Sequence, residues 1–180
     1  WTKAVTKNKE IVAENSNRQI PKGSKLKLKN PPRIKRKLSA WKGRTDRQAF
    51  WLKHNLIKKT LPGEAGEIFD ELKMARAEIL GSKEYDGAKL NIQNFSIDVT
   101  KNLADDEIQL STLINLWFKN LNGFKLDKDQ KRLIDKIPNI NSRNSQKISE
   151  DMISSIEDEE SFLKSSLSFL NALKLIEQEK

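Results

Sequence analysis

The chain has 180 residues, with 34 Lys and Arg against 25 Asp and Glu and a formal net charge of +9. It holds no cysteine and one histidine, His54, which excludes disulfide scaffolds, thiol nucleophiles, thiolate zinc sites and any site built on two imidazoles. Hydrophobic residues make up 36% and charged residues 33%, and there is neither a run of ~18 apolar residues nor a secretory apolar stretch, so a cytoplasmic protein without a membrane span is expected.

In chain order, the first element is a basic arm. Residues 1–60 carry 18 Lys and Arg against Glu10, Glu14 and Asp46, a net of +15, whereas residues 61–180 are net −6. Such an asymmetry suits a polyanion or an acidic partner, and a lysine-rich coding bias explains it equally well. The chain opens on Trp1 and not on Met, and is read as a piece of a longer protein. Residues 1–44 read as arm and linker, loosely ordered, punctuated by Pro21, Gly23, Pro31, Pro32 and Gly43. Lys25 to Lys29 alternates with a strand's period of two, but the prolines that follow and the scarce apolar content favour an extended tether.

A helical domain is expected over residues 45–178. Thr45 with Gln48 fits a capping box, Ala49, Leu52, Leu56, Phe50, Trp51 and Ile57 give the first helix an apolar stripe, and Pro62-Gly63 ends it. The next helix is the clearest, with Ala65, Ile68, Phe69, Leu72, Ala75 and Ile79 on one face, Glu64 and Glu67 in its first turn, and Gly81 as its C-terminal glycine. Phe69 and Leu72, at the centre of that stripe, are expected in the core. Tyr85, Ala88, Ile92, Phe95 and Val99 keep a helical spacing. Asp105 or Asp106 is the expected cap of a segment with Ile108, Leu113, Leu116, Trp117 and Leu121, closed by Gly123. Asp127 with Gln130 suggests a further capping box, before Leu133, Ile134 and Ile137 and a stop at Pro138. Residues 139–147 read as a polar linker and a candidate sub-boundary. Ile148, Met152, Ile153 and Ile156 make a short helix. Asp158 to Glu160 open a last one with Phe162, Leu163, Leu167, Leu170, Leu173 and Ile176 inward. The predicted fold is all-α, an irregular bundle of 5–7 helices behind a basic, proline-containing extended arm.

Motifs that would name a reaction are missing. No P-loop pattern occurs, and Gly63-Glu64-Ala65-Gly66 is a helix-start turn with neither the preceding strand nor the following Lys. Asp151-Met152-Ile153-Ser154-Ser155 has the residues of a metal-ion adhesion motif at the wrong spacing. Glu157-Asp158-Glu159-Glu160 supplies oxygens, but successive helical residues diverge, and compensation of the helix dipole explains the run more simply. His54 has only Asn55 and Lys58 as polar neighbours within a turn, so no carboxylate there orients it as a base. Trp41, Phe50 and Trp51 lie close to Arg44 and Arg47. Aromatics interleaved with arginines stack nucleic-acid bases, and on a helical face they also make core, so both readings stand at this point. No catalytic, cofactor-binding or metal-binding residue is assigned.

Two stretches resemble a known family. The first runs from Pro31-Pro32-Arg33 through Lys42-Gly43-Arg44-Thr45-Asp46 and Leu61-Pro62 to Ile92, with its centre at Ile68-Phe69-Asp70, Ala75-Arg76, Glu78 and Gly81, followed by Asp86-Gly87-Ala88. The second is Ile156-Glu157-Asp158-Glu159-Glu160-Ser161-Phe162. Together they resemble the N-terminal region of CobT, a subunit of the aerobic, ATP-dependent cobaltochelatases. The sequence departs from that family at Gln93–Phe95, and at a histidine pair of which only His54 remains. The resemblance implies a non-catalytic part of a complex that inserts cobalt into a corrin ring during cobalamin biosynthesis. The implied partners are an AAA+ ATPase subunit and a large chelatase subunit, with a homo-oligomeric ring as a further form. ATP, magnesium and cobalt are then used by the complex, with no cofactor on this segment. The acidic linker and von Willebrand A domain that follow this region in the family do not occur within these residues.

Arg33, Arg36, Arg44 and Arg47 of the basic arm, and Asp70, Arg76 and Glu78 of the matched helix, are the candidate partner-binding residues. Helical periodicity alone places the last three on the polar face, where structural ion pairing is the competing role. The alternative function is that of a basic, helical nucleic-acid-binding accessory protein, motivated by the +15 of residues 1–60.

Overall fold

A computed structural model describes residues 12–15, 25–28, 31–33 and 37–176. Two four-residue strands, β1 (Val12–Asn15) and β2 (Lys25–Leu28), pair in parallel with Val12 opposite Lys25 and Asn15 opposite Leu28. The alternating Lys25–Leu28 segment is thus the second of two short strands within the extended arm. The looseness expected of the rest of the arm lies outside the described residues.

Seven helices follow among the described residues, so the body is all-α: α1 (Leu38–His54), α2 (Gly63–Glu84), α3 (Ala88–Lys101), α4 (Leu110–Leu121), α5 (Lys128–Ile134), α6 (Arg143–Ser154) and α7 (Glu159–Ala172). They belong to two compact units. Unit 1 is Trp1–Asn55 with Ala77–Leu103, and unit 2 is Leu56–Arg76 with Ala104–Lys180, so α2 contributes its beginning to unit 2 and its end to unit 1.

In unit 1, α1 packs along α3. A side chain at Gly43 would set its Cβ 2.0 Å from the Asn91 carbonyl oxygen, so glycine allows the two backbones their close approach. This packing starts α1 seven residues before the expected Thr45. Ser39 donates to the Asn91 side chain at 3.1 Å and accepts from that of Asn94 at 2.9 Å, so the first turn is held by α3 without a side-chain cap. Thr45 is not a cap: its hydroxyl donates back to the Trp41 carbonyl inside the helix. The helix also stops early, at His54, and Leu56 beyond it is 66% exposed where core was expected, while Ala49 and Phe50 are fully buried.

The stripe of α2 matches expectation, with Ile68, Phe69, Leu72 and Ala75 at 0% exposure. Gly81 does not end the helix. The Phe50 ring lies over it, 2.2 Å from where a Cβ would be, so this glycine serves ring packing while α2 runs on to Glu84. The left-handed residue comes later, at Gly87 with φ +81°, just before α3.

In unit 2, α4 begins at Leu110 after Gln109, and neither Asp105 nor Asp106 caps it. The apolar segment buries Leu113, Ile114, Leu116, Trp117 and Phe118. Asp127 and Gln130 form the expected capping box of α5. The expected polar linker at 139–147 already contains the start of α6, capped by Ser142. Asp158 caps α7 by accepting from the Ser161 N–H at 2.7 Å. On α7 the sequence reading missed Phe169, which is fully buried and stacks on Trp117 with ring centres 4.8 Å apart.

Candidate functional site

Three of the candidate charged residues, Arg47, Arg76 and Glu78, lie inside. Arg47 on α1 is 5% exposed and Glu78 on α2 is 0% exposed, and they pair at 3.2 Å. The Arg47 guanidinium also lies 5.8 Å above the Phe95 ring of α3, so one side chain ties three helices of unit 1. Arg76, 3% exposed, plays a corresponding part in unit 2. Its Nε donates to the Ile156 carbonyl at 2.8 Å, one terminal nitrogen to the Glu157 carbonyl at 3.4 Å, and the other faces Glu159 at 3.4 Å. The Phe162 ring lies 5.6 Å from the same guanidinium. The two stretches singled out in the sequence thus meet in space through Arg76. Burial holds the Arg76 pKa below an arginine's ordinary value, outweighing the opposing attraction of Glu159.

The polar-face placement of Arg76 and Glu78 is therefore corrected. Every residue from Leu72 to Ile79 is buried, so in this stretch α2 has no solvent face, and each charge is met by a partner within its own unit. Asp70 is part-exposed and pairs with Lys73 at 2.7 Å, one turn on. Arg33 is exposed, Arg36 lies outside the described residues, and Arg44 is half-buried. Burial first and the charge of Arg47 second lower the Arg44 pKa. Among the described candidates, Arg33, Arg44, Arg47 and Glu78 belong to unit 1, and Asp70 and Arg76 to unit 2.

His54 does have a carboxylate beside it. Its Nε2 lies 3.3 Å from Glu84 Oε1, and Lys53 pairs with the same carboxylate, fastening the end of α1 to the end of α2. Local spacing could not find Glu84, thirty residues on. The base-stacking reading is also settled for two residues: Phe50 is buried on Gly81 and stacks on Tyr85, and Arg47 is committed to Glu78. In the acidic run, Asp158 caps α7, Glu159 faces Arg76 and Glu160 pairs with Lys164 at 2.8 Å. Among the described residues no three His, Cys, Asp or Glu side chains are grouped to hold a metal ion, and no helix is long and apolar enough to cross a membrane.

Two hollows among the described residues lie on α1 and α3. A cavity of about 350 Å³ is lined by Trp41, Lys42, Thr45 and Asp46 of α1, with Asp86, Ala88 and Asn91 opposite. Asp46 is 4% exposed and accepts from the Asn91 side chain at 3.0 Å. A second hollow of about 270 Å³ shares Trp41 and adds Pro32, Lys37, Ala40, Arg44, Phe95 and Asp98. No sequence signal marked either hollow, because both depend on the register of α1 against α3.

The model of one protein family, described as "Cobalamin biosynthesis protein CobT", matches residues 1–180, the whole chain. No curated protein and no solved structure matches it.

Proposed function

The chain belongs to the CobT family of cobalamin biosynthesis proteins, and from that premise we propose that it is a non-catalytic, protein-binding part of an ATP-dependent cobaltochelatase. In this reading it supports cobalt insertion into a corrin ring by assembling with the AAA+ ATPase subunit and the large chelatase subunit in the cytoplasm. ATP and magnesium belong to the partner, and cobalt and the corrin ring are substrates of the whole complex. The family match over the full chain carries the reading. The use of Arg47, Glu78 and Arg76 as interior ties supports it: these charges serve the scaffold, and the exposed Arg33 is the arm position at the surface.

The test is a pull-down of the full chain with its cognate AAA+ subunit at low and moderate salt, beside an Arg33→Glu/Arg36→Glu variant. Arg47 is left intact because its loss would damage unit 1. Binding that weakens with salt and in the variant is the expected result, since exposed charges act mainly on encounter. Equal binding by the variant removes the arm from the interface. The charge of +15 over residues 1–60 favours one second reading, nucleic-acid binding. A chain that ignores the ATPase but retains DNA or RNA with a steep salt dependence would establish it instead.

A further inference from the structure

Between His54, where α1 ends, and Gly63, where α2 starts, the chain passes through eight residues with no helix, turn or bend. From Leu56 on, this segment belongs to unit 2, and it is fastened there at three points. The Leu56 N–H donates to Glu159 Oε1 at 3.3 Å, Lys73 Nζ donates to the Lys59 carbonyl at 3.1 Å, and the Pro62 carbonyl accepts from the Gly66 N–H at 3.2 Å. Ile57 is buried, whereas Leu56, Lys58, Lys59 and Thr60 are exposed. In an extended chain, alternate residues turn their main-chain N–H and C=O groups to the same edge. Lys59 gives its carbonyl to Lys73 of α2, so Lys58 and Thr60 turn theirs to the opposite edge. Among the described residues no hydrogen bond reaches the main-chain groups of Lys58 or Thr60, and no carboxylate pairs with the Lys58 or Lys59 side chain.

An edge of unpaired main-chain groups is where another chain adds a strand. The side chains select the occupant. Ile57 and Thr60 are β-branched and suit a strand, and Pro62, with no N–H, ends the edge. A second copy of this chain, pairing antiparallel about this stretch, would set lysine against lysine, which destabilises a cross-strand pair. A strand with a carboxylate opposite Lys58 is favoured instead. Leu56 is 66% exposed and lies two residues before Lys58, on the same face of an extended chain, so it favours an apolar residue on the incoming strand. We propose that residues 56–61 form an edge that takes an added strand from a partner protein, one carrying an acidic and an apolar residue two positions apart. This rests on the protein-binding reading above and names one contact of that binding within unit 2.

The test uses the full chain and amide hydrogen exchange, followed by NMR at Lys58 and Thr60. The probes are a capped heptapeptide of threonines with one Val and one Asp two positions apart, the same peptide with Lys in place of Asp, and the Asp peptide with its central amides N-methylated. The Asp peptide should slow exchange at both amides at least about tenfold at saturation and bind at least about tenfold tighter than the Lys peptide. N-methylation should abolish binding, because main-chain pairing holds the strand. Lys58→Glu should reverse the preference toward the Lys peptide, and Thr60→Pro should remove one donor of the edge and weaken the Asp peptide. Both positions are exposed and make no hydrogen bond or ion pair among the described residues, so neither change threatens the fold. Unchanged exchange at Lys58 and Thr60 in millimolar Asp peptide, or equal binding of the N-methylated peptide, would overturn the edge. A single-stranded oligonucleotide that protects the same amides more strongly than the Asp peptide would assign this surface to nucleic acid and overturn the partner strand. The ATPase pull-down is a separate readout. A chain that binds the Asp peptide but no ATPase would leave the edge standing and sink the assembly, and retention of the ATPase by a Thr60→Pro chain that no longer binds peptide would remove the ATPase as the source of the strand.

Discussion

Glu78 has no exposure, and its charge is met by an Arg47 that is itself almost fully buried. Removing one partner of such a buried pair leaves the other's charge less compensated, which costs about 3–5 kcal/mol, whereas replacing both with apolar residues of similar volume is often close to neutral. Glu78→Ala should therefore lower the urea midpoint sharply, and Arg47→Met/Glu78→Leu should recover most of the loss. If the single and double variants are equally unstable, the pair is not what holds α1 to α2 in unit 1. Phe69, also fully buried, gives an independent measure: Phe69→Ala should cost roughly 3–5 kcal/mol, and a change within surface scatter would place it outside the core. Phe69 was legible because a 3.6-residue period reports apolar burial directly. The interior placement of Arg76 and Glu78 was not, because a helical wheel assumes that charges seek water. Their partners sit 80 residues away for Arg76 and 31 for Glu78, and nothing in the local sequence points to them.

At the scale of the element, the helices that the sequence located well were those with local capping chemistry. Asp127 with Gln130 and Asp158 with Ser161 make their own ends. The boundaries that moved, at the two ends of α1 and at the end of α2, are set by tertiary packing on Asn91, Glu84 and Phe50. Gly81 illustrates the conflict. Alanine favours a helix interior by about 1 kcal/mol over glycine. A Cβ here, however, would meet the Phe50 ring at 2.2 Å, an overpacking that typically costs about 1–3 kcal/mol. Gly81→Ala should therefore destabilise, by denaturant midpoint, although it improves local propensity. A stabilised variant would show that the ring moves freely aside. The cap of α7 is expected to be sensitive to acid. Hydrogen bonding to Ser161 holds the Asp158 pKa below a carboxylate's ordinary value. A depressed folded-state value means that the stabilisation is complete above the ordinary carboxylate range and is lost as pH falls through the depressed one. Amide exchange at Ser161 should accelerate over that acidic window, and Asp158→Asn should flatten the dependence. An unchanged profile in the variant would assign it to another group.

The molecule as a whole is an all-α member of the CobT family whose two compact units are interleaved along the chain. Unit 1 closes once Leu103 has been made, but the Leu56–Arg76 segment that precedes its second half belongs to unit 2. Arg76 waits 80 residues for the Ile156 carbonyl. At about 5–20 residues per second, a ribosome takes on the order of 4–16 s to supply it. During that interval the nascent chain carries a finished first unit and the apolar face of Ile68, Phe69 and Leu72 without its later-made companions, a natural landing place for a holding chaperone. A chain ended after Leu103 should protect Arg47 from trypsin while Arg76 is cut, and the full chain should protect both.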